Sequence, residues 1–397
     1  MSEAQKIPLV DLAAQYAKIR AEVRRAIDEV LESQQFILGP AVSSFEAQMS
    51  AFLRCRHAVG VASGSDALLL ALMALDIGPG DGVITTPFTF FSTVSSITRI
   101  GATPLFVDID PESYLLGAEA VEGFLNERAA TRGGVTTDSR TGLRIKAILP
   151  VHLFGHCCAM NQFIALAQKF HLQIIEDVAQ ACGARQIIAG QARFAGAVGD
   201  LGAFSFFPSK TLGGVGDGGL ISAASEELAS RLRVLRMHGE SSKYRHDVLG
   251  INSRLDSIQA AVLSVKQKFL DNWCEQRIQR AQAYRGLFTA SGLLDGGLAA
   301  IPAETVDKSH VFNNYVVRAR RRDELRQFLS DNGIQSEIYY PVPLHLQKCF
   351  AHLGYSAGDF PHAELAASQV LALPIYPELT VDQQRRVVDK VAAFFRR

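Results

Sequence analysis

Residues 172–184 read LQIIEDVAQACGA. A largely apolar run ends in two acids, Glu176 and Asp177, and small residues follow. A run without polar alternation suits a strand covered on both faces, as in a parallel sheet. Ligands of such sheets gather at the carboxyl ends of the strands. A carboxylate placed there can hold a cationic ring nitrogen, and Gln180 lies three residues beyond Asp177. On this stretch alone, an acid capping the next helix is an equally open reading.

The same pattern recurs on both sides. AVGVAS (58–63), GVITT (82–86), TPLFVDI (103–109), IKAILPV (145–151) and LGAFSFF (201–207) read as buried strands between helical stretches. That alternation predicts βαβ units and a mostly parallel sheet. Apolar spacing predicts a helix over 14–32 and a long helix over 255–290. Strands are expected near 311–317 and 335–340. The last helix opens at Thr380, which has capping-box spacing with Gln383. The polar stretch 126–144 lacks an apolar period and reads as a mobile surface excursion. The expected division is a large domain over 1–265 and a smaller C-terminal α/β domain over 266–397.

Composition narrows the function classes. Lys+Arg and Asp+Glu both number 40, which removes the basic footprint of a nucleic-acid binder. Hydrophobic residues make up 48%, which excludes a disordered chain. The N-terminus has no cationic segment leading into an apolar one, so no secretory signal is expected. The apolar stretch near 67–75 is too short to span a bilayer. The six cysteines (55, 157, 158, 182, 274, 349) are scattered and suit reduced, mostly buried thiols in the cytoplasm. His152, His156 and the Cys157-Cys158 pair lack a completing ligand nearby, so no metal is expected.

Three further motifs carry chemistry. In ASGSDALLLALMAL (62–75) a strand gives way to a helix, with Ser65 or Asp66 as the cap and Gly64 open to a ligand. That is either an anion site or an ordinary capped helix. In FSFFPSKTLGGVGDGG (204–219) the glycines follow Lys210, whereas a phosphate-binding loop needs Gly before Lys and Ser/Thr after it. Lys210 is then either an amine left free in a cleft or a lysine capping a glycine turn. PFTFFSTVSS (87–96) brings Phe88, Phe90 and Phe91 behind a strand. A phosphate cradle, an acid for a ring nitrogen, a stacking aromatic and a lysine for a Schiff base are together the needs of pyridoxal 5'-phosphate.

With these motifs in this order, the chain resembles the pyridoxal-phosphate-dependent nucleotide-sugar aminotransferases of the DegT/StrS type. IPLVDL (7–12), FILGP (36–40), SGSDAL (63–68), GPGD (78–81), VDIDP (107–111), PVHLFG (150–155), EDVAQ (176–180), FFPSK (206–210), GDGG (216–219), MHG (237–239), GINSRLDSIQAA (250–261) and YYPVPLHLQ (339–347) carry the likeness. It implies an α/β aspartate-aminotransferase-like fold, its large domain on a mostly parallel mixed sheet, and a homodimer with active sites at the subunit interface. It implies Lys210 as the Schiff-base lysine, Asp177 at the pyridine nitrogen, Gln180 at the phenolic oxygen and Phe90 stacked on the ring. Gly64, Ser65 and Ser205 match phosphate contacts, with Ser65 in place of the family's usual threonine. Asn252 would reach the phosphate of the neighbouring subunit. Lysine at 210 also separates the chain from a related dehydratase branch that carries histidine there.

The nearest branch aminates C3 of UDP-linked 2-acetamido-3-keto sugars. Arg254 matches a residue placed to meet a carboxylate of glutamate or of a sugar acid. Tyr339, beside Tyr340, stands where the glucuronate enzymes tend to have histidine, which favours a neutral sugar. The implied reaction moves the amino group of L-glutamate to a nucleotide-linked ketosugar of the UDP-2-acetamido-3-keto-glucose type, for cell-surface glycan or lipid A amino sugars. The alternatives are the glucuronate form, C4 amination of a 4-keto-6-deoxy sugar, and a non-catalytic cofactor-binding regulator.

Overall fold

The structure is a computed structural model that describes residues 6–305 and 309–397. Residues 1–5, part of the stretch read as lacking a signal, lie outside it.

Two helices, α1 (Leu12–Ser33) and α2 (Pro40–Leu53), precede the sheet. Asp11 caps α1 by accepting the Ala14 N–H at 2.9 Å, and Pro40 starts α2 where a missing N–H costs nothing. Then β1 (His57–Val61), α3 (Gly64–Ala74), β2 (Asp81–Thr85), α4 (Phe91–Arg99) and β3 (Thr103–Phe106) follow as βαβ units. After α5 (Ala118–Arg128) comes a hairpin, β4 (Ala129–Arg132) and β5 (Val135–Asp138). Next are β6 (Arg144–Ile148), α6 (Met160–Phe170), β7 (Gln173–Asp177) and a small hairpin, β8 (Arg185–Ile188) with β9 (Gln191–Phe194). The sheet is completed by β10 (Leu201–Ser205) and β11 (Gly219–Ala223).

The spatial order is β1-β11-β10-β7-β6-β2-β3. Strands β10, β7, β6, β2 and β3 are parallel, whereas β11 runs antiparallel to both β10 and β1. The sheet is therefore mixed. Its apolar strands contribute to one core that includes Val59, Leu70, Val83, Ile84, Ile148 and Ile175, and to another that includes Ala58, Phe204 and Leu220. The crossovers place the carboxyl ends of β1, β2, β7 and β10 along one edge, and the functional side chains leave from that edge.

Beyond it run α7 (Glu226–Leu235), a short hairpin β12 (Glu240–Ser242) and β13 (Arg245–His246), α8 (Ser257–Gln267) and α9 (Leu270–Ser291). A second apolar cluster gathers Tyr284, Phe288, Tyr315, Leu371, Leu373 and Val388 around β14 (Ala299–Ala300), β15 (Tyr315–Ala319) and β16 (Val370–Leu373). Three helices, α10 (Arg322–Asp331), α11 (Pro361–Gln369) and α12 (Val381–Phe395), complete this part. Thr380 caps α12 and shares a full capping box with Gln383, as the spacing predicts.

Four expectations change. The stretch 126–144 is regular rather than irregular: it holds the end of α5 and the hairpin β4–β5. Buried Asp138 takes bonds from Arg128 Nε at 3.1 Å and Nη2 at 2.6 Å, which stand in for an apolar pattern. The helix over 255–290 is two helices broken at 268–269. Residues 335–340 form no regular strand; Glu337 makes only an isolated bridge to Ala372. Finally, the cap of α3 is Ser63, whose hydroxyl accepts the Asp66 N–H at 3.1 Å; Ser65 and Asp66 lie inside the helix.

Candidate active site

One cavity of about 420 Å³ opens at the carboxyl edge of the sheet. Gly64 and Ser65, the first residues of α3, line it, at a helix start where N–H groups lack intrahelical partners. The Ser65 hydroxyl lies 2.6 Å from that of Ser92. Ser205 ends β10 and pairs in register with Gly219, which Val61 flanks from the other side. The turn leaving β1 therefore passes directly over Ser205. A Cβ added to Gly64 would lie 2.6 Å from Ser205 Cβ, so glycine is required for this approach.

Asp177 ends β7 with its carboxylate in the cavity wall. One oxygen accepts the Thr93 hydroxyl at 2.9 Å and the other the Ala179 N–H at 3.1 Å. Burial raises its pKa, against these bonds and the charge of Lys210. Burial also brings the Lys210 amine down to about 8, opposed by Asp177. A buried acid and a buried amine thus share one low-dielectric space, a pattern typical of reactive sites.

Glu176, the other acid of the pair, points away, since successive strand residues face opposite sides. It is fully buried and accepts N–H bonds from Gly196, Val198 and Gly199 at 2.7–2.9 Å. His152 Nε2 lies 2.9 Å from it. His152 Nδ1 accepts the Cys158 N–H at 3.0 Å, so the ring proton sits on Nε2 and is donated to Glu176. Burial opposes the charge on Glu176, yet the bonds from His152, Gly199 and Gly196 hold its carboxyl below the usual range. The His152 backbone N–H bonds the Asp177 carbonyl at 3.0 Å, so the pair braces the strand behind the cavity.

Phe90 lines the cavity as the cap residue of α4, with its ring 55% exposed and 6.0 Å from Tyr340. An apolar ring left open inside a cleft is free to stack on a planar ligand. The Gln180 side chain accepts the Phe154 N–H at 2.6 Å and donates to the Tyr340 hydroxyl at 3.1 Å. Burial, then the nearby Asp177 charge, pushes the Tyr340 phenol well up, so it stays protonated.

Lys210, Asp177, Gln180, Phe90, Gly64, Ser65, Ser205, Tyr339 and Tyr340 therefore all line one space. Asn252 and Arg254 do not line it; Asn252 is exposed and Arg254 half-buried. Sequence reasoning missed Thr93, Asn313, Asn314 and Asp217, which also line the cavity. Thr93 lay within a quoted motif, one helical turn from Thr89, whose hydroxyl it meets at 3.0 Å. No local pattern marks Asn313 and Asn314, which come from the C-terminal part of the chain.

The model of the DegT/DnrJ/EryC1/StrS aminotransferase family matches residues 17–392. The chain belongs to this family. A "Pleiotropic regulatory protein" of Geobacillus stearothermophilus is 45% identical over 98% of this chain and 99% of its own. A UDP-N-acetyl-3-dehydro-alpha-D-glucosamine 3-aminotransferase of Acidithiobacillus ferrooxidans is 41% identical over 98% and 97%. A dTDP-3-amino-3,4,6-trideoxy-alpha-D-glucose transaminase of Streptomyces venezuelae is 41% identical over 98% and 96%. The crystal structure of S. venezuelae DesV in complex with a ketimine intermediate superposes with TM-score 0.88 at 41% identity, covering 99% of this chain and 100% of that one. The structure of NtdA from Bacillus subtilis with bound cofactor PMP superposes with TM-score 0.86 at 28% identity, covering 100% and 86%.

This family member is an aminotransferase of the pyridoxal-phosphate type. Its residues fit that cofactor. The start of α3 with the Ser65 and Ser205 hydroxyls suits a phosphate. The buried Asp177 carboxylate, bonded only by neutral donors, suits a protonated ring nitrogen. Among the described residues, no group of three or more His, Cys, Asp or Glu could hold a metal ion. No described helix is long and apolar enough to cross a membrane.

Proposed function

We propose that the protein moves the amino group of L-glutamate to C3 of a UDP-linked 3-keto sugar of the 2-acetamido-3-keto-glucose type. Such a product would serve cell-surface glycan or lipid A amino-sugar synthesis. The observation that carries the choice of a neutral sugar is the cavity's charge. Within one chain Lys210 is the only cation among the described lining residues, and Tyr339 offers a hydroxyl rather than a cation for a uronate; Arg254 of the neighbouring chain is left to the carboxylate of L-glutamate. C3 is supported by the A. ferrooxidans and S. venezuelae relatives, both named for nitrogen at that carbon. The S. venezuelae relative also favours a second reading, a dTDP-linked acceptor. The glucuronate form and C4 amination rank behind both.

When bound, the cofactor supplies a carbonyl that takes up the substrate nitrogen and a ring that spreads the negative charge developing at the substrate carbon. Asp177 keeps the ring nitrogen's proton in place, and Thr93 orients the carboxylate that does so. Gly64, Ser65 and Ser205 would hold the phosphate, and Phe90 would cover one ring face. Gln180, whose side-chain oxygen is held by the Phe154 N–H, would offer its amide N–H to the ring's phenolic oxygen. The Lys210 Nζ, titrating near 8, is a base at neutral pH for part of the time and an acid for the rest. So placed, it would take the proton from the donor's α-carbon and, in the acceptor half, give one to the carbon that receives nitrogen.

The assignment includes a homodimer. Asn252 and Arg254 lie outside the cavity of their own chain, consistent with service to a neighbouring one. The nearby Tyr244 and Leu249 are 82% and 92% exposed, as contact residues awaiting a partner would be. The division into 1–265 and 266–397 belongs to the same proposal; the second cluster, around β14–β16, is drawn from the C-terminal part apart from Ile7, while Val316, Val370 and Ala372 pack into the first. Mixing the loaded protein with L-glutamate alone tests the donor half. The absorbance band of the lysine-bound cofactor should shift as 2-oxoglutarate appears. A cofactor-binding regulator would show neither change.

A further inference from the structure

Lys210 sits in a closed loop that α8 grips from outside. The neck of the loop is made by Phe206 N–H to the Gly218 carbonyl and Gly214 N–H to the Phe206 carbonyl, both 2.8 Å. Near the top, the Lys210 N–H bonds the Phe207 carbonyl at 2.9 Å, and Thr211 and Leu212 are buried just after it. Two side chains of α8 then take hold of the descending arm. Lys266 Nζ donates to the Gly213 carbonyl, and Gln259 Oε1 accepts the Val215 N–H at 2.9 Å.

The loop's glycines are shaped around this grip. A Cβ on Gly214 would lie 2.6 Å from Gln259 Oε1, and one on Gly216 would lie 2.7 Å from Gln259 Nε2. A Cβ on Gly213 would run into the Pro208 carbonyl. Lys266 is 8% exposed, and no carboxylate among the described residues pairs with it. Burying an unpaired ammonium is expensive. Its hydrogen bond in this structure goes to the loop that carries Lys210.

We propose that Gln259 and Lys266 are positioning residues for Lys210. They fix the backbone from which its long side chain swings, and so the place where Nζ meets the substrate carbon. The proposal rests on Lys210 being the cofactor's attachment point. Displacing a reacting group by ~1 Å can cost about a hundredfold in rate without loss of binding. Neither residue lines the cavity of its own chain, so neither is placed to touch a substrate there.

The test uses loaded Lys266→Met and Gln259→Leu proteins, a Lys266→Arg protein and a Lys210→Ala control. Occupancy is read from the absorbance band of the lysine-bound cofactor, and chemistry from the single-turnover rate with L-glutamate at varied concentration. The expected result is full occupancy, a rate roughly tenfold to a hundredfold lower at saturation, and half-saturation changed by about threefold or less. Lys266→Arg, which keeps a cationic donor, should recover much of the rate. Gln259→Leu carries the same expectation should Lys266→Met not yield folded protein. Loaded Met and Leu variants turning over at the wild-type rate would overturn the proposal. A Lys210→Ala protein that kept the band would instead sink the attachment reading beneath it.

Discussion

Replacing Gly64 with alanine probes the phosphate end of the cavity through one contact. The new Cβ would sit 2.6 Å from Ser205 Cβ and 3.0 Å from its hydroxyl, where ordinary contact begins at 3.4 Å. Either the start of α3 or the end of β10 must yield by roughly 0.8 Å, a strain worth about 1–3 kcal/mol. Both are sources of phosphate donors, so the yielding also separates the N–H groups of α3 from the Ser205 hydroxyl. Losing one bond to a charged group costs about 1.5–3 kcal/mol, which is roughly a tenfold to 150-fold rise in Kd. Fluorescence titration of the cofactor-free protein with pyridoxal phosphate measures that rise, and thermal unfolding measures the strain. Gly78→Ala is the control, because the nearest atom to a Cβ there is 3.8 Å away. In Gly64→Ala/Ser205→Gly the clash shrinks, so stability should return further than affinity. A Gly64→Ala protein with wild-type Kd and melting temperature would refute both the cradle and its location.

Three more outcomes follow. Thr93→Val removes the hydroxyl bonded to Asp177, and kcat should fall by about tenfold or more, with Asp177→Asn falling further; unchanged kcat in both would remove Asp177 from the chemistry. Lys210 titrates near 8 when folded and near 10.5 when exposed, so between those values the unfolded chain holds a proton the folded one has shed. The cofactor-free protein should therefore gain stability as pH rises through that window, by about 3 kcal/mol from this group, and urea melts of Lys210→Met should lack that share. Asp138→Asn strips the buried partner of Arg128 and should cost about 3 kcal/mol in urea unfolding while leaving kcat unchanged, because the hairpin β4–β5 lies away from the cavity.

What the sequence disclosed, and what it hid, divides along physical lines. The parallel strands were legible because burial on both faces leaves apolar runs. The reversal at β11 was not, since GLISA reads the same in either direction. The hairpin after α5 was invisible because its ends are held by Arg128 and Asp138 rather than by an apolar face. The break at 268–269 hid inside a continuous helical period, Lys268-Phe269, with no glycine or proline to mark it. In the site, Asp177 at a strand end and Lys210 in the loop after β10 were legible as candidates, and their roles came from the resemblance. Which of Glu176 and Asp177 faces the cavity depended on strand register, and Thr93 depended on how α4 packs against β7. The C-terminal lining residues Asn313 and Asn314 reach the cavity only through tertiary folding.

The most direct test of the central claim is the product itself. Loaded protein, L-glutamate and UDP-2-acetamido-3-keto-glucose are incubated together, and the nitrogen is located on the sugar ring by NMR, with the dTDP-linked 3-keto, glucuronate and 4-keto-6-deoxy sugars run alongside. A UDP-sugar bearing a new amino group at C3, formed in step with 2-oxoglutarate and faster than any other product, is the predicted result. No turnover of any 3-keto sugar, with amination of a 4-keto sugar instead, would contradict it.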